Sequence, residues 1–205
     1  VPRRAPSAEL PARAEIREKE LELARARQQS RLPGALRRSG SAEFATLFEP
    51  SAAIGGDYFD VLRIDDHRLA VVIADVSGHG LPTGLRMAML KAALVILVEE
   101  SKDPTEILRR LDAMVRAERR IFVTATIGIV DYRAGRLELT NAGHPPTYLV
   151  RDGTVEEILL PGNPLGTRGE TYGKRALPLV GGDQVVWLSD GLIEATNGTG
   201  EPFGY

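Results

Sequence analysis

The chain has 205 residues, of which 43% are hydrophobic and 26% charged; the formal net charge is −2 and there is no cysteine. These values describe an ordinary soluble globular protein with room for one substantial core and an appendage. They give no reason to expect nucleic acid as a partner, and they exclude disulfides and thiolate metal sites. The longest apolar stretch, Ala92–Val98, is too short to span a bilayer, so no membrane segment is expected within the chain, and no signal peptide is visible. Because the first residue is Val1, the chain is expected to be a piece of a longer protein, with sensor or membrane segments upstream. The piece itself is read as cytoplasmic.

Residues 1–7 are rich in Pro and Arg and are expected to lack order. From Ala8 to Leu32 the composition turns to Ala, Glu, Leu, Arg and Gln, all strong helix formers. Ala14, Leu21, Gln28 and Ala35 fall seven apart, with Leu10 and Ala24 interleaved, which makes a weak heptad. Ile16 and Leu23 form a competing row. Two readings stay open: an amphipathic helix packed on its own domain, or a signalling coiled coil that makes a dimer. Pro33-Gly34 ends this helix.

Phe44–Phe48 reads as a strand and residues 50–56 as a loop. Tyr58–Ile64 and Arg68–Ala74 read as strands joined by the turn Asp65-Asp66-His67. Leu81–Glu100 reads as a helix with Leu85, Ala88, Met89, Ala92, Ala93 and Ile96 on one face. Asp103-Pro104 opens a second helix reaching about Glu118, with Asp as N-cap and Pro at the first helical position. Hairpins follow: Phe122–Tyr132 with Arg136–Ala142, Thr147–Arg151 with Thr154–Leu160, and Ala176–Val180 with Gln184–Ser189. Successive hairpins with two helices inserted argue for antiparallel sheets covered by helices, an α+β layered architecture.

Three aspartates carry most of the chemistry. Asp57 sits in Gly-Gly-Asp-Tyr-Phe-Asp, Asp75 in Ala-Asp-Val-Ser-Gly-His-Gly, and Asp190 in Trp-Leu-Ser-Asp-Gly. A carboxylate at a buried strand end is costly unless it is paired or metal-bound. Taken singly, each is more simply a cap or turn residue. Three together, without cysteine, suggest a hard-cation site built from oxygen ligands. Gly78 and Gly80 permit a tight turn after Asp75, and the helix that follows offers free N–H groups to an anion. His144, in Asn-Ala-Gly-His-Pro-Pro, is read as a structural hydrogen-bonding residue, with His79 similar and His67 solvent-facing.

In this order and spacing, these motifs resemble the bacterial SpoIIE-type, or RsbU-like, phosphatases of the PPM (protein phosphatase 2C) superfamily. The matching segments are Gly55–Asp60, Asp75–Gly80, Phe122–Ala125, Ala142–Pro146, Pro164–Gly166, Ser189–Glu194 and Gly200–Gly204. They place the phosphatase domain at 41–205, with 1–40 as an N-terminal linker. The resemblance implies an αββα sandwich of two antiparallel sheets flanked by helices, with two Mn²⁺ or Mg²⁺ ions at one end. It implies hydrolysis of phosphoserine or phosphothreonine on a protein, in this family usually a phosphorylated anti-sigma-factor antagonist. It implies that Asp57, Asp75 and Asp190 are catalytic, as metal ligands. Asp75 bridges the ions, the Val76 carbonyl adds a ligand, Asp57 serves the second ion and Asp190 the first. A homodimer through the N-terminal helix is expected.

Two departures from the wider superfamily stand out. Ser77 occupies the position where other members carry a histidine as possible general acid. The family domain normally continues past Gly200–Gly204 to a further helix, an Asp-Asp motif and an edge strand, whereas this chain stops at Tyr205. The competing reading is therefore a catalytically impaired regulatory or docking module that uses the same fold and the linker helix. A nucleotide-binding protein is disfavoured, because neither Gly-rich nucleotide motif is present.

Overall fold

The computed structural model describes residues 36–49, 55–117, 121–167, 169 and 171–204. The expected N-terminal helix and its heptad lie outside the described residues.

The chain opens with a hairpin of β1 (Leu36–Ser39) and β2 (Ala42–Ala45). The sequence placed a single strand later, at Phe44–Phe48. The pairing of Ala42 with Ser39 moves it forward, and Phe48 instead stacks, tilted, on Phe59 with ring centroids 5.9 Å apart. Then come β3 (Asp57–Arg63) and β4 (Arg68–Val76), joined by a turn in which Asp65 accepts from the backbone of His67 and Arg68. Helix α1 spans Leu81–Glu100 and α2 spans Pro104–Ala117. Asp103 caps α2 by accepting from the Thr105 N–H at 2.9 Å, as its position before Pro104 predicts. Strands β5 (Val123–Asp131), β6 (Arg136–Ala142), β7 (Thr147–Arg151), β8 (Thr154–Ile158), β9 (Lys174–Pro178) and β10 (Gln184–Val186) follow, and α3 (Asp190–Ile193) comes last.

Among the described residues, all pairings between named strands are antiparallel. A five-stranded sheet runs β3-β4-β5-β6-β9 and a three-stranded sheet runs β10-β7-β8. Strand side chains alternate between faces, and burial shows where each face goes. Tyr58, Ala70, Val72, Ala74, Val76, Val123, Ala125 and Ile127 join Met87, Leu94, Leu97, Ile107, Leu108 and Leu111 of the helices in one core. The other face contributes Val130, Leu137 and Leu139, which meet Leu149 and Ile158 of the second sheet in another core. The layers are thus helices, five-stranded sheet, three-stranded sheet: an α+β sandwich. Arg151 ties the sheets together. It holds Asp183 in a two-pronged ion pair at 2.8 and 2.6 Å and also donates to the Pro178 carbonyl.

The inward face of α1 differs from the sequence reading. Thr83, Met87, Leu90, Ala93, Leu94, Leu97 and Val98 are buried, whereas Leu85, Met89 and Ile96 are exposed. This helix is apolar nearly all round, with a mean hydropathy of 1.7 in its most apolar window, so periodicity does not single out a face. Its position over β3 and β4 decides instead. Lys91, on the inward side, reaches Asp60 at 2.7 Å, and Tyr58 donates to the same carboxylate at 2.9 Å. By length and composition α1 would cross a membrane, but its inner side is part of the core.

Candidate active site

The register of the five-stranded sheet builds this site. Asp57 lies directly opposite Asp75, and Asp75 lies directly opposite Thr124 on β5. Their sequence neighbours Tyr58, Ala74, Val76, Val123 and Ala125 all face the helices. By alternation, Asp57, Asp75 and Thr124 share the opposite face, which looks toward the three-stranded sheet. They form a row across one end of the sandwich. Asp75 is within β4, not beyond it as the sequence reading had it, because pairing with β5 runs on to Val76.

Asp190 arrives from the other sheet. Strand β10 ends at Val186 opposite Tyr148, and the chain then turns through Ser189, the N-cap of α3, into Asp190. The expected strand through Ser189 is cut short here, and Asp190 becomes the first helical residue and not the cap. The segment at 195–204 folds back on this helix. Phe203 N–H donates to the Ala195 carbonyl at 2.7 Å and Gly204 N–H to the Ile193 carbonyl at 3.0 Å. Gly200–Gly204 thus serves to brace the turn that carries Asp190.

Asp57 and Asp75 both feel the charge of Asp190. Asp75 is pushed up to about 6, first by burial and then by the charges of Asp57 and Asp190. Asp57 is also raised, by burial and by Asp190, while the Ser189 hydroxyl opposes the shift. Carboxylates whose charges raise the pKa of a neighbour at one end of a sandwich form a field that a cation would relieve. Space is kept as well. A Cβ on Gly56 would lie 2.2 Å from the Val76 carbonyl oxygen and 2.6 Å from Asp75 Oδ1. Only glycine lets this backbone close on both groups, a contact the Gly56 carbonyl completes by accepting from Val76 N–H at 3.2 Å.

Among the described residues, no three acidic or histidine side chains are already gathered in a ready metal cage. The available donors are carboxylates and a backbone carbonyl. That chemistry fits Mg²⁺ or Mn²⁺, which take few protein ligands and keep several waters. The donor set therefore fits the group that the resemblance implies.

Around this row the structure brings in Thr124 and Asn141, to which the sequence reading gave no task, beside His144, which it read as structural. Thr124 Oγ1 lies 2.9 Å from His144 Nδ1. Asn141 holds the His144 loop from both sides: its side-chain oxygen accepts from His144 N–H at 2.9 Å, and its amide donates to the His144 carbonyl at 2.8 Å. His144 is 5% exposed and is pushed down to about 4 by burial, with Asp190 and the Leu188 backbone acting in the other direction. This is the structural hydrogen bonding that its Pro-Gly loop predicts. Ser77 is engaged just ahead of β5: its hydroxyl accepts from Phe122 N–H at 3.1 Å, and its own N–H donates to the Phe122 carbonyl at 3.0 Å. His79 is exposed on the turn after Asp75. Thr124 stands inside a quoted motif, but its pairing with Asp75 is visible only once the strands are in register.

A two-sheet sandwich with an acidic row at one end, approached by a carboxylate from the opposite sheet, is the architecture of a PP2C-type serine/threonine phosphatase domain. Residues 65–205 match the family described as stage II sporulation protein E. The chain belongs to this SpoIIE family. Among curated proteins it is 28% identical over 186 residues to the phosphoserine phosphatase RsbU of Bacillus subtilis, covering 88% of this chain and 55% of that protein. Among solved structures it is similar to the SiaA-PP2C domain of Pseudomonas aeruginosa. There the TM-score is 0.80 and the identity 27%, with 95% of this chain and 80% of that chain covered. It is also similar to the RsbU and RsbW domains of a Mycobacterium tuberculosis protein, with a TM-score of 0.65 at 32% identity, covering 72% of this chain and 42% of that one. The chain spans about half the length, or less, of the curated relatives it matches.

Proposed function

We propose that the protein hydrolyses phosphoserine or phosphothreonine on a partner protein at a dinuclear Mn²⁺ or Mg²⁺ site. The observation that carries this is the row Asp57–Asp75, set by strand register, with Asp190 acting on both from the second sheet. Asp75, in the middle of the row, would hold the ions together with Asp57 and Asp190, and the Val76 carbonyl beside Gly56 would add a neutral donor. When bound, such ions lower the pKa of a water enough for in-line attack on phosphorus and neutralise the phosphoryl charge. The protein's own part is positioning. The β3–β4 pairing fixes the separation of Asp57 and Asp75, and the folded-back 195–204 segment holds Asp190 at the mouth.

The substrate class follows the resemblance: a phosphorylated anti-sigma-factor antagonist, with the kinship to RsbU in support. The N-terminal 1–40 segment is proposed as a linker that pairs with a second copy, on the strength of its Ala, Leu and Gln rows, ahead of the phosphatase domain at 41–205. A cytoplasmic setting is proposed with it, since a phosphorylated regulatory protein is the substrate. The test is Mn²⁺-dependent release of phosphate from p-nitrophenyl phosphate and from a phosphoserine peptide. Hydrolysis that requires Mn²⁺ and is lost in Asp75→Asn supports the reading. Asp75→Asn turnover equal to wild type would sink it.

A further inference from the structure

Gly128 sits inside β5, opposite Val71 of β4 on one side and Leu139 of β6 on the other. Glycine in a strand interior weakens the strand and packs nothing, so a buried one calls for a reason. Backbone shape is not the reason, because Gly128 does not take a positive φ. Space is. A Cβ here would lie 3.2 Å from Trp187 Cζ2, 3.1 Å from Leu137 Cδ1 and 3.2 Å from Leu139 Cδ2. The missing side chain makes a notch, floored by β5 and walled by two fully buried leucines, that receives the edge of an indole ring. Trp187 is the only tryptophan in the chain. Its Nε1 is buried and has no hydrogen-bond partner within the described residues, so packing and not a hydrogen bond holds the ring.

The notch lies on the face that carries the acidic row. Thr124, opposite Asp75, is an even number of residues from Gly128 on β5, so both point to the same side. Val130, two residues on, is in the core between the sheets. Four residues of strand place the notch about 13 Å behind the row. On the other sheet, the ladder of β10 with β7 ends at Val186 opposite Tyr148. Val185 and Trp187 pack in the inter-sheet core, and Trp187 is the last residue ahead of Asp190 to do so. Three residues reach at most about 10 Å, so the seat of the ring limits where the Asp190 carboxylate can stand. We propose that Trp187, seated in the Gly128 notch, is a positioning residue for the metal site. It fixes the height of the second sheet over the acidic row and thereby the reach of Asp190 to the ions. Trp187 touches neither substrate nor ion; it acts through the chain to Asp190. Ligating groups must be held to within about 0.5 Å by side chains that packing locks in place.

The inference rests on the metal-site reading above, so its test separates the two. Mn²⁺ is titrated calorimetrically into the purified wild-type protein and into Asp190→Asn, Gly128→Ala, Gly128→Val, Trp187→Leu, Leu177→Ala and the double variant Gly128→Ala/Trp187→Phe. The emission of the single tryptophan, recorded without metal, reports the seat of the ring. Gly128→Val should move that emission to longer wavelength, as the ring leaves the core, and weaken Mn²⁺ binding about 10-fold or more. Gly128→Ala asks its neighbours to give by only a few tenths of an ångström and should do less in the same direction. Trp187→Leu empties the notch instead of crowding it and should weaken binding likewise, so the comparison survives if Gly128→Val fails to fold. The smaller ring of the double variant should restore most of the affinity lost in Gly128→Ala, a coupling expected of residues in contact. Leu177→Ala opens a hole in the same core on β9, away from the path to Asp190, and should lower Tm with Mn²⁺ affinity at the wild-type value. Unchanged affinity in both Gly128→Val and Trp187→Leu, beside a clear loss in Asp190→Asn, overturns the positioning role and leaves the metal site standing. A loss in Leu177→Ala as large as in Trp187→Leu also overturns it, since loosening of the core would then explain both. Unshifted emission in Gly128→Val overturns the seat itself. Wild-type affinity in Asp190→Asn overturns the site and the positioning role together.

Discussion

At position 56 a methyl group has nowhere to go. The obstructing atoms are a backbone carbonyl and the carboxylate at the centre of the proposed site, neither of which is the free end of a flexible chain. Gly56→Ala should therefore cost about 1–3 kcal/mol as an overpacked position, read as a shift in the urea midpoint, and Mn²⁺ affinity should fall with it. Asp75 gives a sharper test, because its effects on stability and on activity oppose each other. Its folded pKa of about 6 lies above the ordinary 3.8. Between those values the folded state holds more proton than the unfolded one, so in chelator the stability should decline as pH rises from about 4 to about 6 and stay low above that. Asp75→Asn removes this penalty. In chelator at neutral pH the variant should be more stable than wild type by about 1–2 kcal/mol, while hydrolysis with Mn²⁺ falls about 100-fold or more, since even second-layer partners are worth 10–100-fold. A variant that is both less stable in chelator and active would contradict the crowding of charge at this end of the sandwich.

Among the elements, α1 joins the site to the core. It starts immediately after the Gly78–Gly80 turn, where both glycines hold positive φ (103° and 80°), and it is anchored ten residues in by Lys91 on Asp60. Asp60 is buried on β3, three residues past Asp57, and also accepts from Tyr58 and from the Val61 N–H. Lys91→Ala leaves that carboxylate without its cation and should cost about 3 kcal/mol, measured by denaturant titration; a loss below half of that would mean water compensates the charge. The helix also marks the limit of what pattern reading recovers. Three of the four expected hairpins are legible because alternation and their turn residues are local signals; the fourth, Ala176–Val180 with Gln184–Ser189, does not form, because β9 pairs with β6 and β10 with β7 in different sheets. The bounds of α1 are legible because Gly80 precedes it and Ser101 ends it. Its buried face is not, because Leu85, Met89 and Ile96 are as apolar as Met87, Leu90 and Leu94, and only contact with the sheet separates the two sets. Likewise β1 escapes notice in a basic Leu-Arg-Arg-Ser stretch, whose strand character comes from pairing with β2.

For the whole molecule, the linker reading carries a prediction of its own. Removal of residues 1–33 leaves every described strand and helix intact, from Leu36 onward. If the segment pairs with a second copy, sedimentation should show a dimer that becomes a monomer on deletion, as expected for a two-fold contact confined to one helix. An unchanged mass would reduce the segment to a tether. The scale of the whole also shows what the apolar inner side of α1 covers. The helix packs its inner side on a five-stranded sheet and its neighbour α2 on the same surface, which brings Ile107, Leu108 and Leu111 to its flank.

The sequence by itself determined the class of fold, the two long helices, most of the hairpins and the three aspartates worth attention, because each rests on a local pattern: alternation, a cap, a glycine turn or a carboxylate at a strand end. The tertiary structure decided which of these act together. Asp57 and Asp75 are 18 positions apart and Asp190 comes 115 positions after Asp75; what joins them is antiparallel register and the stacking of two sheets. The same register puts Thr124 opposite Asp75, with His144 Nδ1 2.9 Å from the Thr124 hydroxyl. Register depends on which strands pair and how far they slide, and that is settled by the burial of whole faces, a property no single stretch of sequence carries.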